Sequence, residues 1–251
     1  MEIDADRNTL DEIKFAELRL WQPLKGPRVN LDTVLLSAFA RIKSNEKVIE
    51  LGSAQGAISL ILARKFPRAA SIQGLELQHE LVELSRENAI GNQLAGKVSF
   101  IEGDLTQISQ FFPVGGTDVV VVNPPYFCSM PDRMSKSYLE ASARHDLRCS
   151  LVDVVSASRY VLKNRGRLYL IMKSQRLSEV LFLLESYKMP CKRLRPVYPS
   201  PGKRSNVFLV QASRNSRVGM YLEEPLFVSD KSGNYTPEIL RAYTLEADSC
   251  L

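Results

Sequence analysis

The stretch VVVVNPPY, residues 119–126, decides the fold class. Its first four residues form an apolar run without a polar break, which is typical of a parallel strand buried on both faces. The next four residues, Asn123, Pro124, Pro125 and Tyr126, then lie at the carboxyl end of a central strand. Open α/β sheets bind their ligands at that edge. The stretch therefore predicts an α/β protein with a site at its strand ends.

The same tetrapeptide suits a planar substrate that carries an amine, such as adenine. Such an amine is a weak nucleophile because its lone pair is delocalised into the ring. The Asn123 side-chain oxygen and the Pro124 carbonyl can accept its two N–H bonds and so favour a localised lone pair. Pro125 holds Pro124 extended, and Tyr126 can stack on the base, worth about 1–3 kcal/mol in nucleic-acid complexes. The simpler alternative is a strand-terminating Pro-Pro turn.

A glycine-containing turn upstream predicts the other half of the site. A short apolar strand over 47–51 leads into GSAQG at 52–56, and a helix follows. The spacing matches neither the dinucleotide fingerprint nor a P-loop. Glu50, just before the glycines, would repel a pyrophosphate but suits a cationic ligand such as S-adenosylmethionine. Glu76, about 20 residues beyond the glycines, has the place of a ribose-binding carboxylate, and Asp104 can accept from an adenine amine.

On these residues the chain resembles the class I S-adenosylmethionine-dependent methyltransferases. Within them it is similar to the bacterial tRNA adenine-N6 methyltransferases of the "methyltransferase small domain" type. The likeness extends from about Gln22 to Pro237, and further stretches carry it: 31–36, 74–76, 143–146, 190–199 and 233–238. The tetrapeptide is shared with DNA adenine and protein glutamine methyltransferases, so Arg144, His145 and 190–199 carry the narrower assignment. The resemblance implies methylation of the adenine next to the anticodon of a valine tRNA.

The resemblance also implies a Rossmann-like fold with a seven-stranded, mostly parallel sheet, an antiparallel last strand and helices on both faces. It implies that the cofactor-binding residues are Asp32, Glu50, Gly52, Ser53, Ala54, Gly56, Glu76, Leu77, Asp104, Leu105 and Asn123. The expected RNA contacts are Phe127, Arg144, His145, Lys192, Arg193, Arg195, Lys203 and Arg204. The family usually has glycine at position 54, and glycine there permits close approach of backbone and cofactor. Ala54 departs from that pattern.

The apolar periodicity predicts strands that alternate with helices, and hence parallel pairing. We expect helices over 31–43, 56–66, 78–91, 150–163 and 176–187, strands over 47–51, 71–76, 97–102, 117–122 and 166–172, and a closing antiparallel pair near 192–198 and from 207. We expect a methyltransferase domain over 47–215, an N-terminal extension with a helix on the cofactor side over 1–46, and a tail over 216–251 that completes the domain.

Composition narrows the partners. The 251 residues are 45% hydrophobic, which excludes disorder as the main state. No apolar run is long enough to cross a membrane, no signal-peptide core is present, and the four cysteines form no C-x-x-C pair, so we expect a cytoplasmic protein without a metal site. The net charge is +5, and 186–222 holds eight basic residues and no acidic one. Beside a base-methylating motif, that segment favours RNA over a merely solvated face, and an unpaired anticodon-type loop over a duplex.

Three other functions have weaker support from the sequence. A protein glutamine-N5 methyltransferase would use the same tetrapeptide, but only about 46 residues precede the first predicted strand, too few for the helical domain such enzymes carry. A DNA methyltransferase would need a separate target-recognition region, for which we find no room. A non-catalytic RNA-binding protein with a degenerate cofactor pocket has the support of Ala54 alone.

Overall fold

The computed structural model describes residues 3–4, 6–124 and 150–246. Within them, a short antiparallel hairpin precedes one large sheet that has helices on both faces. The strands are β1 (Asn8–Ile13), β2 (Leu18–Pro23), β3 (Lys47–Leu51), β4 (Ser71–Glu76), β5 (Val98–Glu102), β6 (Thr117–Val122), β7 (Leu162–Lys173), β8 (Cys191–Tyr198), β9 (Val207–Ser213), β10 (Tyr221–Leu222) and β11 (Leu226–Phe227). The helices are α1 (Leu31–Phe39), α2 (Ala57–Lys65), α3 (His79–Gly91), α4 (Leu151–Val161), α5 (Leu177–Ser186) and α6 (Pro237–Ala242).

The sheet has the order β10-β8-β9-β7-β6-β3-β4-β5, with β11 paired to β8. The strands from β5 to β7 pair in parallel, and β9 runs antiparallel to both β7 and β8. The prediction of a mostly parallel sheet with an antiparallel last long strand is therefore confirmed. Within the described residues the sheet has nine strands instead of the predicted seven, because the two-residue strands β10 and β11 both pair with β8. Between β3 and β6 the chain changes from building one side of the sheet to building the other. Open α/β sheets bind ligands at this switch point.

Alternation along the central strands builds two cores. Val119 and Val121 face α1 and α2, while Val120 and Val122 face α4 and α5. A strand buried on both faces has no polar side to show, which is why this run reads as continuously apolar. In the described ranges, no helix has the length and apolar composition needed to cross a bilayer.

Helix α1 is shorter than the predicted 31–43. It begins at an Asn30 capping box and ends at Phe39, because Ala40 is already extended. Ile42 is nonetheless buried. The apolar pattern beyond Phe39 therefore reflects burial of an extended segment rather than further helical turns.

The N-terminal hairpin was missed by the sequence analysis, and two asparagines fix it to α3. Asn88 accepts from Trp21 N at 2.7 Å and donates to Trp21 O at 3.0 Å. Asn92 does the same with Arg19 N and O, at 2.9 and 2.8 Å. Side chains four apart on a helix rise about 6 Å, close to the two-residue repeat of a strand. The two amides thus act as a substitute partner strand for β2.

Candidate functional site

Backbone hydrogen bonds align the strand ends into one edge. Gly52 N donates to Leu75 O and Gly103 N donates to Glu76 O, each at 2.8 Å. On the other side of β3, Leu51 lies opposite Val122 in register. The turn after β3 therefore lies between the carboxylate that ends β4 and Asn123, which follows β6.

Glu76 holds this turn in place. Its carboxylate is buried, and it accepts from Ala54 N at 2.8 Å, Leu77 N at 2.9 Å and Gln78 N at 3.0 Å. A carboxylate offers about four acceptor sites, so one remains on the oxygen that faces Ala54. Glu76 is thus both the clamp of the glycine turn and an available hydrogen-bond acceptor.

The two glycines of the turn have different roles. Both have positive φ, +70° at Gly52 and +84° at Gly56. A Cβ added at Gly56 would lie 2.5 Å from the Phe100 ring, so packing excludes any side chain there. A Cβ added at Gly52 would meet no atom within 4 Å. The backbone of Gly52 therefore borders open space, where a ligand can approach it closely.

Ala54 also has a left-handed conformation, with φ of +48°. For an L-residue this conformation costs about 1–2 kcal/mol, and a glycine would relieve it. We expect Ala54→Gly to raise the free energy of unfolding by up to about 1 kcal/mol, measured by urea denaturation. The control Ala63→Gly, inside α2, should lower it by about 1 kcal/mol or more. If Ala54→Gly were less stable than wild type, the backbone at Ala54 would not be strained.

Glu50 lies behind the turn instead of beside the open space. It is 2% exposed, and its carboxyl accepts from the Ser59 backbone N at 2.9 Å and from the Ser59 hydroxyl. Burial, opposed by these hydrogen bonds and assisted by nearby Glu76, raises the pKa of Glu50 to about 8. The structure thus ties Glu50 to α2, and its predicted contact with a cationic ligand stays a prediction.

This buried acid predicts a pH-dependent stability. The pKa of Glu50 in the folded protein, about 8, lies above its ordinary value of 4.5, so between these two pH values the folded protein holds a proton that the unfolded chain releases. The contribution of Glu50 to the free energy of unfolding is therefore complete below pH 4.5. Between pH 4.5 and pH 8 it falls by on the order of 1 kcal/mol per pH unit. We expect Glu50→Gln, which resembles the neutral acid, to gain stability relative to wild type between pH 5 and pH 8 in urea titrations. A constant difference would contradict this assignment.

The other predicted cofactor residues lie along the same edge or behind it. Asp104 accepts from Thr106 N and Oγ1, at 2.9 and 2.8 Å, through Oδ1. Leu105 packs partly into the second core, while Leu77 is 44% exposed beside the turn. Ser53 is buried, and within the described residues its hydroxyl has no hydrogen-bond partner. Asp32 lies in the first turn of α1.

The structure describes the first two residues of the tetrapeptide, Asn123 and Pro124. Asn123 is partly exposed directly after β6, and Pro124 is buried. Pro125, Tyr126, Phe127, Arg144 and His145 lie outside the described residues. In the part of the chain that the structure describes, no group of three or more His, Cys, Asp or Glu side chains is arranged to hold a metal ion.

The predicted basic RNA contacts divide into two groups, and two of them require correction. Arg193 pairs with Glu223 and lies 4.4 Å from the centre of the Phe39 ring, and Arg195 pairs with Glu238 at 2.5 Å. Their side chains are only 12% and 8% exposed. These two guanidinium groups are therefore neutralised within the fold and do not offer charge to RNA.

The remaining basic candidates stay accessible to different degrees. Lys192 donates to Arg217 O at 3.0 Å. Lys203 and Arg204 are exposed on the turn between β8 and β9. Because β9 is antiparallel to β7, with Val207 opposite Lys173, this turn lies at the same edge as Asn123.

The polar residues behind the glycine turn were not predicted from the sequence. Gln55 is buried, its carbonyl accepts from Asn88 Nδ2 at 3.0 Å, and its amide reaches Gln22 Oε1 at 3.4 Å. Gln22 in turn donates to Asp11 at 2.6 Å. One local sign of these contacts was present in the sequence: Asn88 lies within the helix predicted over 78–91, and asparagine is usually unfavourable inside a helix.

The chain is similar to known proteins in sequence and in fold. A family model described as "Methyltransferase domain" matches residues 42–188. The tRNA1(Val) (adenine(37)-N6)-methyltransferase of Porphyromonas gingivalis is 27% identical to the chain over 92% of each protein. The protein of that name from Histophilus somni is 27% identical over 90% of this chain and 93% of its own. The crystal structure of a predicted O-methyltransferase from Agrobacterium tumefaciens matches 84% of this chain and 96% of its own, with a TM-score of 0.68 and 19% identity, which concerns the fold alone.

Proposed function

The chain belongs to the methyltransferase domain family, and from this premise we propose that it methylates N6 of an adenine in RNA, most specifically the adenine next to the anticodon of a valine tRNA. It is an enzyme that uses S-adenosyl-L-methionine as its methyl donor. The names of the relatives, tRNA1(Val) (adenine(37)-N6)-methyltransferases, support this RNA and this position. An anticodon loop as the bound element, in the cytoplasm, is part of the same proposal.

The residues present fit the cofactor. Open space borders Gly52, and the exposed Leu77 flanks it. Glu76 keeps one acceptor site, and Asp104 Oδ2 accepts no hydrogen bond from the described residues. These are acceptors for hydroxyl and amine groups, as in an adenosyl moiety. The turn has no basic side chain, and Glu76 already occupies its Ala54 N–H, so it suits a pyrophosphate poorly.

The reaction needs one electrophile and one oriented amine. When bound, S-adenosyl-L-methionine supplies a methyl group on a positively charged sulfur. Asn123 Oδ1 and the Pro124 carbonyl accept the two N–H bonds of the adenine amine and so localise its lone pair toward the cofactor side. Such acceptors also stabilise the positive charge that develops on the nitrogen. The extra proton can leave after transfer, because a methylated ammonium is acidic, so no dedicated base is required.

One observation carries the proposal: the acceptor and the open turn follow adjacent strands at the switch point of the sheet. Leu51 lies opposite Val122, so Gly52 and Asn123 leave the sheet from neighbouring positions. Neighbouring strands are about 4.8 Å apart. A donor held over Gly52 and an amine held by Asn123 therefore lie within reach of each other.

Labelled S-adenosylmethionine, incubated with the protein and total tRNA, tests the proposal. Nucleoside analysis should find the label in N6-methyladenosine, and a valine tRNA transcript should accept it at the adenine next to the anticodon. Label found only in protein would move the function to glutamine methylation. No binding of the cofactor at millimolar concentration would contradict any methyltransferase activity.

A further inference from the structure

Two turns extend the carboxyl edge of the sheet beyond the site, on the β8 side. The Pro199 turn spans 199–206 and joins β8 to β9. The Tyr235 turn spans 229–235 and follows β11. Ser229 N and Ser229 Oγ both donate to Pro199 O, at 2.9 and 2.8 Å. These bonds hold the two turns side by side.

Both turns are held by internal hydrogen bonds. In the Pro199 turn, Ser205 Oγ donates to Val197 O at 2.9 Å. In the Tyr235 turn, Asp230 Oδ1 accepts from Ser232 N at 2.8 Å and from Asn234 N at 3.0 Å. The carboxylate of Asp230 is thereby engaged by its own backbone. The shape of this surface is formed before any partner arrives.

An aromatic stack supports the second turn and ends in an open ring. Tyr235 stacks on Tyr243, with ring centres 6.0 Å apart and an interplanar angle of 16°. Tyr243 in turn meets the edge of Phe15 at 5.2 Å, and both pack against the core. Tyr235 remains 49% exposed. It offers a ring face that is already fixed in position, as base stacking requires.

The two turns also carry basic side chains that form no ion pair with the described residues. Lys203, Arg204 and Lys231 are exposed, and none forms an ion pair with any residue in the described ranges. Arg193 and Arg195 differ from these three residues, because their charges are neutralised by ion pairs with Glu223 and Glu238. Among the described residues on the β8 side of this edge, the two turns therefore supply charge that is available to phosphates.

The position of the turns fixes which part of an RNA they can contact. From β6, which Asn123 directly follows, the sheet continues through β7 and β9 to β8, and then to β11. At about 4.8 Å per strand, the turns begin about 14–19 Å from the site of methylation. A stacked strand advances about 3.4 Å per nucleotide, so the distance corresponds to about four to six nucleotides.

On the basis of the proposed tRNA methylation, we propose that the Pro199 and Tyr235 turns form a second RNA subsite for nucleotides about four to six away from the target adenine. Tyr235 stacks on an unpaired base or on the end of a base-paired stem. Lys203, Arg204 and Lys231 bind phosphates on either side of it. Tyr243 is a positioning residue that holds the Tyr235 ring in place.

Binding of a full-length valine tRNA transcript, measured at several salt concentrations, tests the subsite. We expect Tyr235→Ala to raise Kd about 5- to 150-fold, the equivalent of one stacked base, and to leave the salt dependence unchanged. Tyr235→Phe should stay near wild type. The double variant Lys203→Ala/Arg204→Ala should flatten the slope of log affinity against log salt by about 1.4 to 1.8.

The controls separate this subsite from general charge, folding and the proposed function. Lys43→Ala/Lys47→Ala removes the same charge at the opposite edge of the sheet and should leave the slope unchanged. Calorimetric affinity for S-adenosylmethionine should equal wild type in every variant. If wild-type protein methylates the transcript but Tyr235→Ala binds it within twofold of wild type, or the two double variants have equal slopes, the subsite is wrong. If wild-type protein neither binds nor methylates the transcript, the proposed function fails as well.

Discussion

Asn123→Ala is expected to lower the rate of methyl transfer by about 10²- to 10³-fold while leaving the affinity for S-adenosylmethionine within a few-fold of wild type. The side-chain oxygen is one of two acceptors for the adenine amine, and its removal leaves the lone pair delocalised. Asn123 is partly exposed and forms no hydrogen bond with the described residues, so the protein should remain folded. Single-turnover transfer to valine tRNA measures the first quantity, and calorimetry measures the second.

Asn123→Asp is the matched variant for this prediction. It keeps an acceptor oxygen of nearly the same reach, so it should retain more activity than Asn123→Ala. Equal loss of cofactor affinity and methyl transfer in Asn123→Ala would remove the assigned role. Equal activity of the Asp and Ala variants would show that accepting a hydrogen bond is not what the side chain contributes.

Glu76→Ala is expected to lower the free energy of unfolding by about 3–5 kcal/mol and to weaken cofactor binding at least tenfold. The carboxylate satisfies three backbone N–H groups, those of Ala54, Leu77 and Gln78. Hydrogen bonds to a charged group contribute about 1.5–3 kcal/mol each. Contributions from neighbouring bonds do not add, so the expected loss is smaller than the sum of three. Without the clamp, the turn beside Gly52 loses the shape that borders the open space. Urea denaturation and calorimetry measure the two effects.

Glu102→Ala is the control, because Glu102 lies opposite Glu76 in the register of β4 and β5. Its side chain is 48% exposed and, among the described residues, pairs with His79, which is 63% exposed. An exposed pair of this kind contributes about 0–1 kcal/mol. Glu76→Gln, which keeps one acceptor oxygen, should lose less stability than Glu76→Ala. If Glu76→Ala and Glu102→Ala unfold at the same urea concentration, Glu76 is not a clamp.

Much of the fold was predictable because its signals are local. The apolar run at 119–122, the strand–turn–helix at 47–65 and the alternation of strands and helices each depend on residues near one another in the chain. The N-terminal hairpin was not predicted, since its pairing with Asn88 joins positions 67 residues apart. The periodicity of a short stretch of sequence carries no information on a contact between positions so far apart.

The candidate site divides in the same way. The sequence by itself determined which residues lie at or just after the ends of the central strands, because strand ends are set by local periodicity. These residues are Gly52, Glu76, Asp104 and Asn123. Only the tertiary structure decided how each charge is used. Glu50 and Glu76 look alike as strand-end acids, but Glu50 lies buried against Ser59 while Glu76 clamps the turn.

The basic segment over 186–222 shows the same division between sequence and structure. The sequence shows that this segment contains no acidic residue. Arg193 and Arg195 nevertheless pair with carboxylates 30 and 43 residues away, beyond the end of the segment. Lys203 and Arg204 keep their charge available because the hairpin turn carries them past the end of the sheet. Sequence fixes which charges exist, whereas long-range packing decides which of them are neutralised, because electrostatic pairing depends on distance in space and not on distance along the chain.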